Sequence, residues 1–399
     1  MNRLKHPEPV RVRAVLWILS GVTLLYGAAC VYLYYHQQVS YVEGGALFES
    51  DLPFHVSMAV KDHWYYSLTA LFYQLFYLTP WGSLLTAVFL GVVSVASVVL
   101  TGMLLDRITA KQCPASVIFI MALAGSFMMP FFIRGAHFQR YIGYQSASIW
   151  HNSTYICMKL LSIGTFSMFL KLKEKYRVGL NAGEWIGFAL LLILCNSVKP
   201  SFFMIFAPAM FFFLVAELFR KVPFRRLFIF GSAVLPSLAV ILGQQLILFG
   251  DDTGNGIIIK PGYALFMRGT HPKITFLLSI ALPLLVLLFT LKDLKTDGTY
   301  RFAWLMWLFG FLEIFLFAET GGRAKDSNFF WSYSAAVFFV NLLAMCKLWE
   351  KYRSEEAKRA GKKWIRIFLL YAGTACMCYQ TWCGVYFFCR LLTGESYWM

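Results

Sequence analysis

Glu49, Asp51 and His55 fall in one short stretch, Glu49-Ser50-Asp51-Leu52-Pro53-Phe54-His55, in a chain otherwise made of long apolar runs. With Glu43 they make the loop 37–67 acidic. A carboxylate so placed suits a general base that takes a proton from an attacking hydroxyl. Pro53 fits the first turn of a helix. That gives Asp51 a second reading, as a cap accepting backbone N–H groups. On such a helix Asp51 and His55, four residues apart, share a face. Glu49 and Asp51 also form an acidic-x-acidic pair of the kind whose oxygens bind a divalent cation, Mg²⁺ or Mn²⁺.

Other polar stretches carry groups that bind rather than react. Residues 134–152, RGAHFQRYIGYQSASIWHN, mix Arg134, Arg140 and His151 with Tyr141, Tyr144 and Trp150. This suits a sugar or phosphate platform, or an interfacial aromatic belt. Asn152-Ser153-Thr154 matches a glycosylation sequon but abuts an apolar run. Lys199-Pro200 separates two apolar runs. A cation at the tip of a broken hairpin suits an anion, and a Lys snorkelling to the interface fits equally. In 319–331, ETGGRAKDSNFFW, Gly321 and Gly322 free the backbone to approach a ligand, and Arg323 has the fork that grips phosphate. Glu319 and Lys325 flank it, and Arg268 and His271 lie in the loop 250–273. The expected binding set is Arg134, Arg140, His151, Asn152, Lys199, Arg268, Glu319, Arg323 and Lys325. Lys159 and Glu313 lie inside apolar runs, where charges are costly and usually pair. If the spans 154–170 and 302–317 touch, they are expected to pair with each other.

These residues need a frame. Hydrophobic residues make up 59% of the 399 residues and charged residues 14%, well apart from a soluble domain. Long apolar runs indicate an all-α polytopic membrane protein, not a barrel. About eleven spans are expected: 14–35, 81–105, 116–133, 154–170, 184–195, 202–219, 227–249, 274–291, 302–317, 330–345 and 367–391. The run 68–79 is too short to span and is expected at the interface. One transmembrane domain is expected over 1–399, with further outer loops at 134–153, 250–273 and 318–329. No cleavable signal peptide is expected. The nine Cys show no metal spacing and no disulfide framework.

The net charge of +16 falls mainly in alternate loops such as KLKEKYR and RKVPFRR. This follows the positive-inside rule and not nucleic-acid binding. It sets the N-terminus in the cytoplasm and the acid- and His-bearing loops outside. The expected location is a bacterial plasma membrane.

The acidic first outer loop, ESDLPFHVSMA with its following juxtamembrane helix, and the short paired helices around Lys199-Pro200 resemble the GT-C class of membrane glycosyltransferases. The likeness spans most of the chain as an architecture and about ten residues as a motif. The acidic pair here is Glu-x-Asp, not Asp-x-Asp. The resemblance implies a polyprenyl-phosphate sugar as donor and a glycan, lipid or protein hydroxyl as acceptor. It also implies inversion, with Asp51 as base. Membrane lipids are expected partners. Two other classes fit parts of the pattern. A transporter or flippase explains the broken hairpin and the charges within spans. An acyl or phosphoglycerol transferase would use His55, His137 or His151 as base.

Overall fold

The computed structural model describes residues 10–41, 47–63, 67–249, 256–267, 271–324, 326–353 and 363–398. Helix makes up 74% of it, and the only sheet among the described residues has two short strands. The first half comprises α1 (Val10–Val39), α2 (Leu52–Val60), α3 (Leu68–Phe76), α4 (Gly82–Ile108), α5 (Ala115–Phe127), α6 (Ser153–Lys173), α7 (Ala182–Val198) and α8 (Ser201–Phe219). There follow α9 (Phe224–Ser232), α10 (Leu235–Phe249), β1 (Ile257–Ile259), α11 (Tyr263–Met267), α12 (Pro272–Ser279), α13 (Ala281–Thr290) and α14 (Asp293–Thr296). The chain closes with α15 (Gly298–Leu316), β2 (Phe317–Glu319), α16 (Phe330–Arg353) and α17 (Lys363–Leu392).

Helices dominate because a chain crossing lipid must satisfy its own backbone. The protein is an all-α, multi-pass membrane protein. Among the described residues seven helices are long and apolar enough to span, or eight if the bent pair α12–α13 counts as one. Each of the eleven expected runs contains helix, but four do not meet that measure. α5 and α7 are short, α12 and α13 meet at 64°, and α17 is not among the seven.

The run 116–133 was expected to be one span, yet its helix stops at Phe127. Pro130 pushes the residue before it into extended backbone. The freed groups find partners on other elements. Met129 N–H donates to the Gln380 carbonyl at 3.1 Å, Gln380 Nε2 donates to the Met129 carbonyl at 2.9 Å, and Phe131 N–H donates to the Leu278 carbonyl at 3.0 Å. Here α17 comes so close that a Cβ at Gly384 would lie 1.4 Å from the Phe127 carbonyl oxygen. Only glycine fits that contact.

Packing in lipid rests on close contact, since lipid tails are as apolar as the side chains. α1 lies along α4, and a Cβ at Gly91 would meet Val31 Cγ2 at 2.4 Å. α16 is the central post. It is enclosed by α5, α8, α13, α15 and α17, and 94% of its spanning window is buried.

Lys159 and Glu313 do not pair. Lys159 Nζ sits 4.2 Å from the Phe338 ring centroid, and Glu313 is buried on α15 with no ion pair among the described residues. The cation finds a ring face in place of the carboxylate.

Candidate functional site

The loop before α2 is fastened to the segment before α6. Asp51 N–H donates to the His151 carbonyl at 3.0 Å. Ser50 Oγ donates to the same carbonyl at 2.8 Å, and Gln37 Nε2 on α1 donates to the Trp150 carbonyl at 3.3 Å. Three elements that are distant in sequence are thereby held at one point.

Asp51 stands at the N-cap position of α2, but its side chain makes no capping hydrogen bond. Ser50 Oγ accepts from Leu52 N–H instead, at 3.1 Å. The Asp51 carboxylate turns to Asn152, whose Nδ2 donates to Oδ2 at 2.7 Å. The cap reading of Asp51 is therefore set aside. Asn152 is the true cap of its helix. Its Oδ1 accepts from Tyr155 N–H at 2.9 Å and from Thr154 Oγ1 at 2.8 Å, which fixes the amide and aims its NH₂ at Asp51. At 3% exposure, with both ends of its amide engaged, Asn152 is not presented as a glycosylation acceptor.

His55 lies one turn along α2. Its Nδ1 is 3.1 Å from Ser153 Oγ, to which Tyr73 on α3 donates at 2.6 Å. Ser67, the cap of α3, donates to the Val198 carbonyl at 2.7 Å, tying α3 to the end of α7. Lys199 follows in extended backbone, with φ −162° and ψ 125°. Pro200 favours that conformation in the residue before it. Lys199 Nζ donates to Thr154 Oγ1 at 3.3 Å and lies 4.7 Å from the Trp331 ring centroid. That ring face favours the cation.

His151 lies flat on Tyr397, with centroids 4.0 Å apart and planes 7° apart, and meets the Tyr141 ring edge-on at 4.8 Å. Its Nδ1 is buried and meets no hydrogen-bond partner among the described residues.

The electrostatics follow from burial. Burial lowers His55 and His151 each to about 4, the Asp51 charge pulling the other way and Lys199 adding to the fall. Both imidazoles are neutral near pH 7. Burial also lowers Lys199 to about 8, again against Asp51, so it keeps its proton at pH 7. The cluster thus offers one carboxylate, one ammonium and two neutral imidazoles. It suits a ligand with hydroxyls to activate or orient and an anionic group to hold.

Of the expected site, Asp51, His55, His151, Asn152 and Lys199 come together. Glu49 does not join them. It turns to the tail, accepting from Trp398 Nε1 at 2.9 Å and from Ser396 Oγ. Glu49 and Asp51 thus serve different hydrogen-bond partners. Among the described residues no three His, Cys, Asp or Glu stand close enough to hold a metal ion.

Arg134 is exposed on its loop. Arg140 stacks on Phe132 and Tyr386, at 4.1 and 4.4 Å. Glu319 accepts from Asn328 N–H and Nδ2 at 2.8 and 2.9 Å, and Asn328 Oδ1 accepts from Trp331 Nε1 at 3.2 Å. Glu319 therefore reaches Lys199 only through Trp331, as a support. Arg323 lies in the turn Gly321–Arg323, half-buried. His271 is exposed at the start of α12. Glu43, Arg268 and Lys325 lie outside the described residues.

Reading the residues alone missed Gln37, Ser50, Tyr73, Ser153, Thr154 and Tyr397. Ser153 and Thr154 were in view only as sequon residues. Tyr73, which meets Ser153, and Tyr397, which meets His151, carry no local signal.

No protein-family model matches the chain, and no curated protein matches it either.

Proposed function

We propose that the chain is a membrane glycosyltransferase of the GT-C type. It moves a sugar from a polyprenyl-phosphate donor to an acceptor hydroxyl, with Asp51 as general base. One observation carries this reading. The Asp51 carboxylate is spared from capping its helix and is held by Asn152 beside Lys199 and two neutral imidazoles. The orientation, the span count near eleven and the bacterial plasma membrane belong to the same proposal.

In the proposed reaction Asp51 takes the acceptor proton as the acceptor oxygen bonds to the anomeric carbon. The bond from that carbon to the phosphate oxygen breaks, and the phosphate leaves with the electron pair. Lys199 stabilises the charge growing on it. Displacement from the face opposite the leaving group inverts the centre, as when a carboxylate activates the nucleophile in inverting glycosidases. His55 and His151 hold sugar or acceptor hydroxyls as neutral donors or acceptors. No step runs through a metal.

The test uses the full chain in nanodiscs with a polyprenyl-phosphate sugar and glycan, lipid and peptide acceptors. Donor-dependent release of polyprenyl phosphate is expected. Asn has the shape of Asp but takes no proton near pH 7, so Asp51→Asn is expected to lower turnover about 10²–10⁴-fold with folding intact. EDTA is expected to leave the wild type active. Loss restored by Mg²⁺ or Mn²⁺ would recast Asp51 as a ligand. Counterflow of the donor without turnover would favour the transporter. An Asp51→Asn protein that transfers normally would remove the base.

A further inference from the structure

At the end of the bundle opposite Asp51 there is a cavity of about 230 Å³. Its lining includes five cations, Lys173, Arg177, Arg220, Lys295 and Arg301, and one carboxylate, Glu217. α6 and α8 both start beside the Asp51 cluster and both end at this cavity. At 1.5 Å per residue these helices put the two places about 30 Å apart, one hydrocarbon thickness.

The single carboxylate is fully engaged. Glu217 accepts from Arg177 Nε at 3.0 Å and from Arg220 Nη1 at 2.7 Å, and also from the Tyr176 hydroxyl. Lys173, Lys295 and Arg301 form no ion pair among the described residues. Lys173 Nζ donates to Thr299 Oγ1 at 3.0 Å. Arg301 Nη1 donates to the carbonyls of Leu294 and Lys295 at 3.0 and 3.3 Å. Asp297, beside them, is turned towards α16. Its Oδ2 is 2.7 Å from Lys347 Nζ, and its Oδ1 caps α15 through Thr299 and Tyr300 N–H.

The cations also converge. A Cβ at Gly298 would lie 3.3 Å from Lys173 Nζ and 3.6 Å from Arg301 Nη2. Two positive groups therefore meet over the first turn of α15, where the helix dipole adds to the same sign. Charges needed only to orient a membrane protein have no reason to gather from α6, α14 and α15 onto one concave surface. Like charges held together are stabilised by an anion between them, and basic pockets between spans are a recurring form of lipid head-group site.

We propose that this cavity binds a phosphate group, with Lys173, Lys295 and Arg301 as its ligands. The phosphate comes either from an anionic phospholipid head group or from a soluble phosphate compound.

The full chain in neutral detergent would be titrated with fluorescent phosphatidylglycerol, with fluorescent phosphatidylcholine and with inorganic phosphate as competitor. Lys173→Gln/Lys295→Gln/Arg301→Gln is expected to weaken binding about ten-fold or more, as loss of charged hydrogen bonds implies. Lys171→Gln/Lys221→Gln/Arg225→Gln removes as much charge from exposed sites and is expected to change binding less than about two-fold. Preference for phosphatidylglycerol that millimolar phosphate does not relieve identifies the head group. Competition by phosphate identifies the soluble source. If the triple variant elutes as aggregate, the exposed Lys295→Gln decides alone, with several-fold weakening expected. Equal binding by wild type, triple variant and control overturns the site, as does binding of neither lipid probe together with no binding of radiolabelled inorganic phosphate.

Discussion

At the residue scale, His55 and His151 tie the site to pH. Their imidazoles titrate near 4 in the folded chain and near 6.5 when exposed. Between those values the unfolded chain holds more protons, so stability rises with pH across the window. It is fully present above about 6.5 and drains away as pH falls towards 4. Thermal midpoints measured from pH 7 to pH 4.5 are expected to drop more steeply for the wild type than for His55→Gln/His151→Gln. Parallel curves would mean that the imidazoles are not buried neutral. Asp51 shows what a single sequence offers at this scale. Its type and neighbours raise both a base and a cap, and spacing does not choose between them. The choice comes from Asn152, a hundred positions away, whose amide draws the carboxylate off the helix. Glu49 gives the opposite lesson. It reads as the twin of Asp51, yet the tail captures it through Ser396 and Trp398.

At the element scale, the broken hairpin α7–α8 was legible because Lys199-Pro200 interrupts two apolar runs. The early stop of α5 was legible in Pro130 only in hindsight, since an apolar run of that length looks like a span. What decides it is the approach of α17, a contact between distant segments. Gly384 carries that contact. Gly384→Ala puts a methyl group against a backbone oxygen and is expected to cost about 3 kcal/mol or more of stability. Gly21→Ala is the control, since nothing lies within 4 Å of its Cβ position on α1. Chemical unfolding in detergent compares the two. A Gly384→Ala protein as stable as wild type would mean that α5 and α17 do not meet as described.

At the scale of the whole molecule, the sidedness of the basic loops is the clearest testable statement. Cys378 and Cys389 are exposed thiols and would first be replaced by Ser. Phe138→Cys and Val178→Cys then place probes at positions 85% and 82% exposed. The first is expected to react with an impermeant maleimide on intact cells and the second only after permeabilisation. Reaction of Val178→Cys on intact cells would invert the protein in its membrane.

The burial of α16 has a consequence for how the chain is made. Its spanning window has a mean hydropathy of 1.3 against 2.4 for α4, and it carries Asn341 and Lys347. A segment so modest leaves the translocon for lipid reluctantly. Of the helices that enclose it, only α17 is synthesised later. When the ribosome delivers α16, a groove of protein is therefore already waiting. Glycosylation-site mapping of nascent chains is expected to find residues 330–353 inserted efficiently behind their own upstream helices and poorly in a foreign carrier. Equal insertion in both would mean that α16 enters the bilayer on its own hydrophobicity, without an assembled receiver.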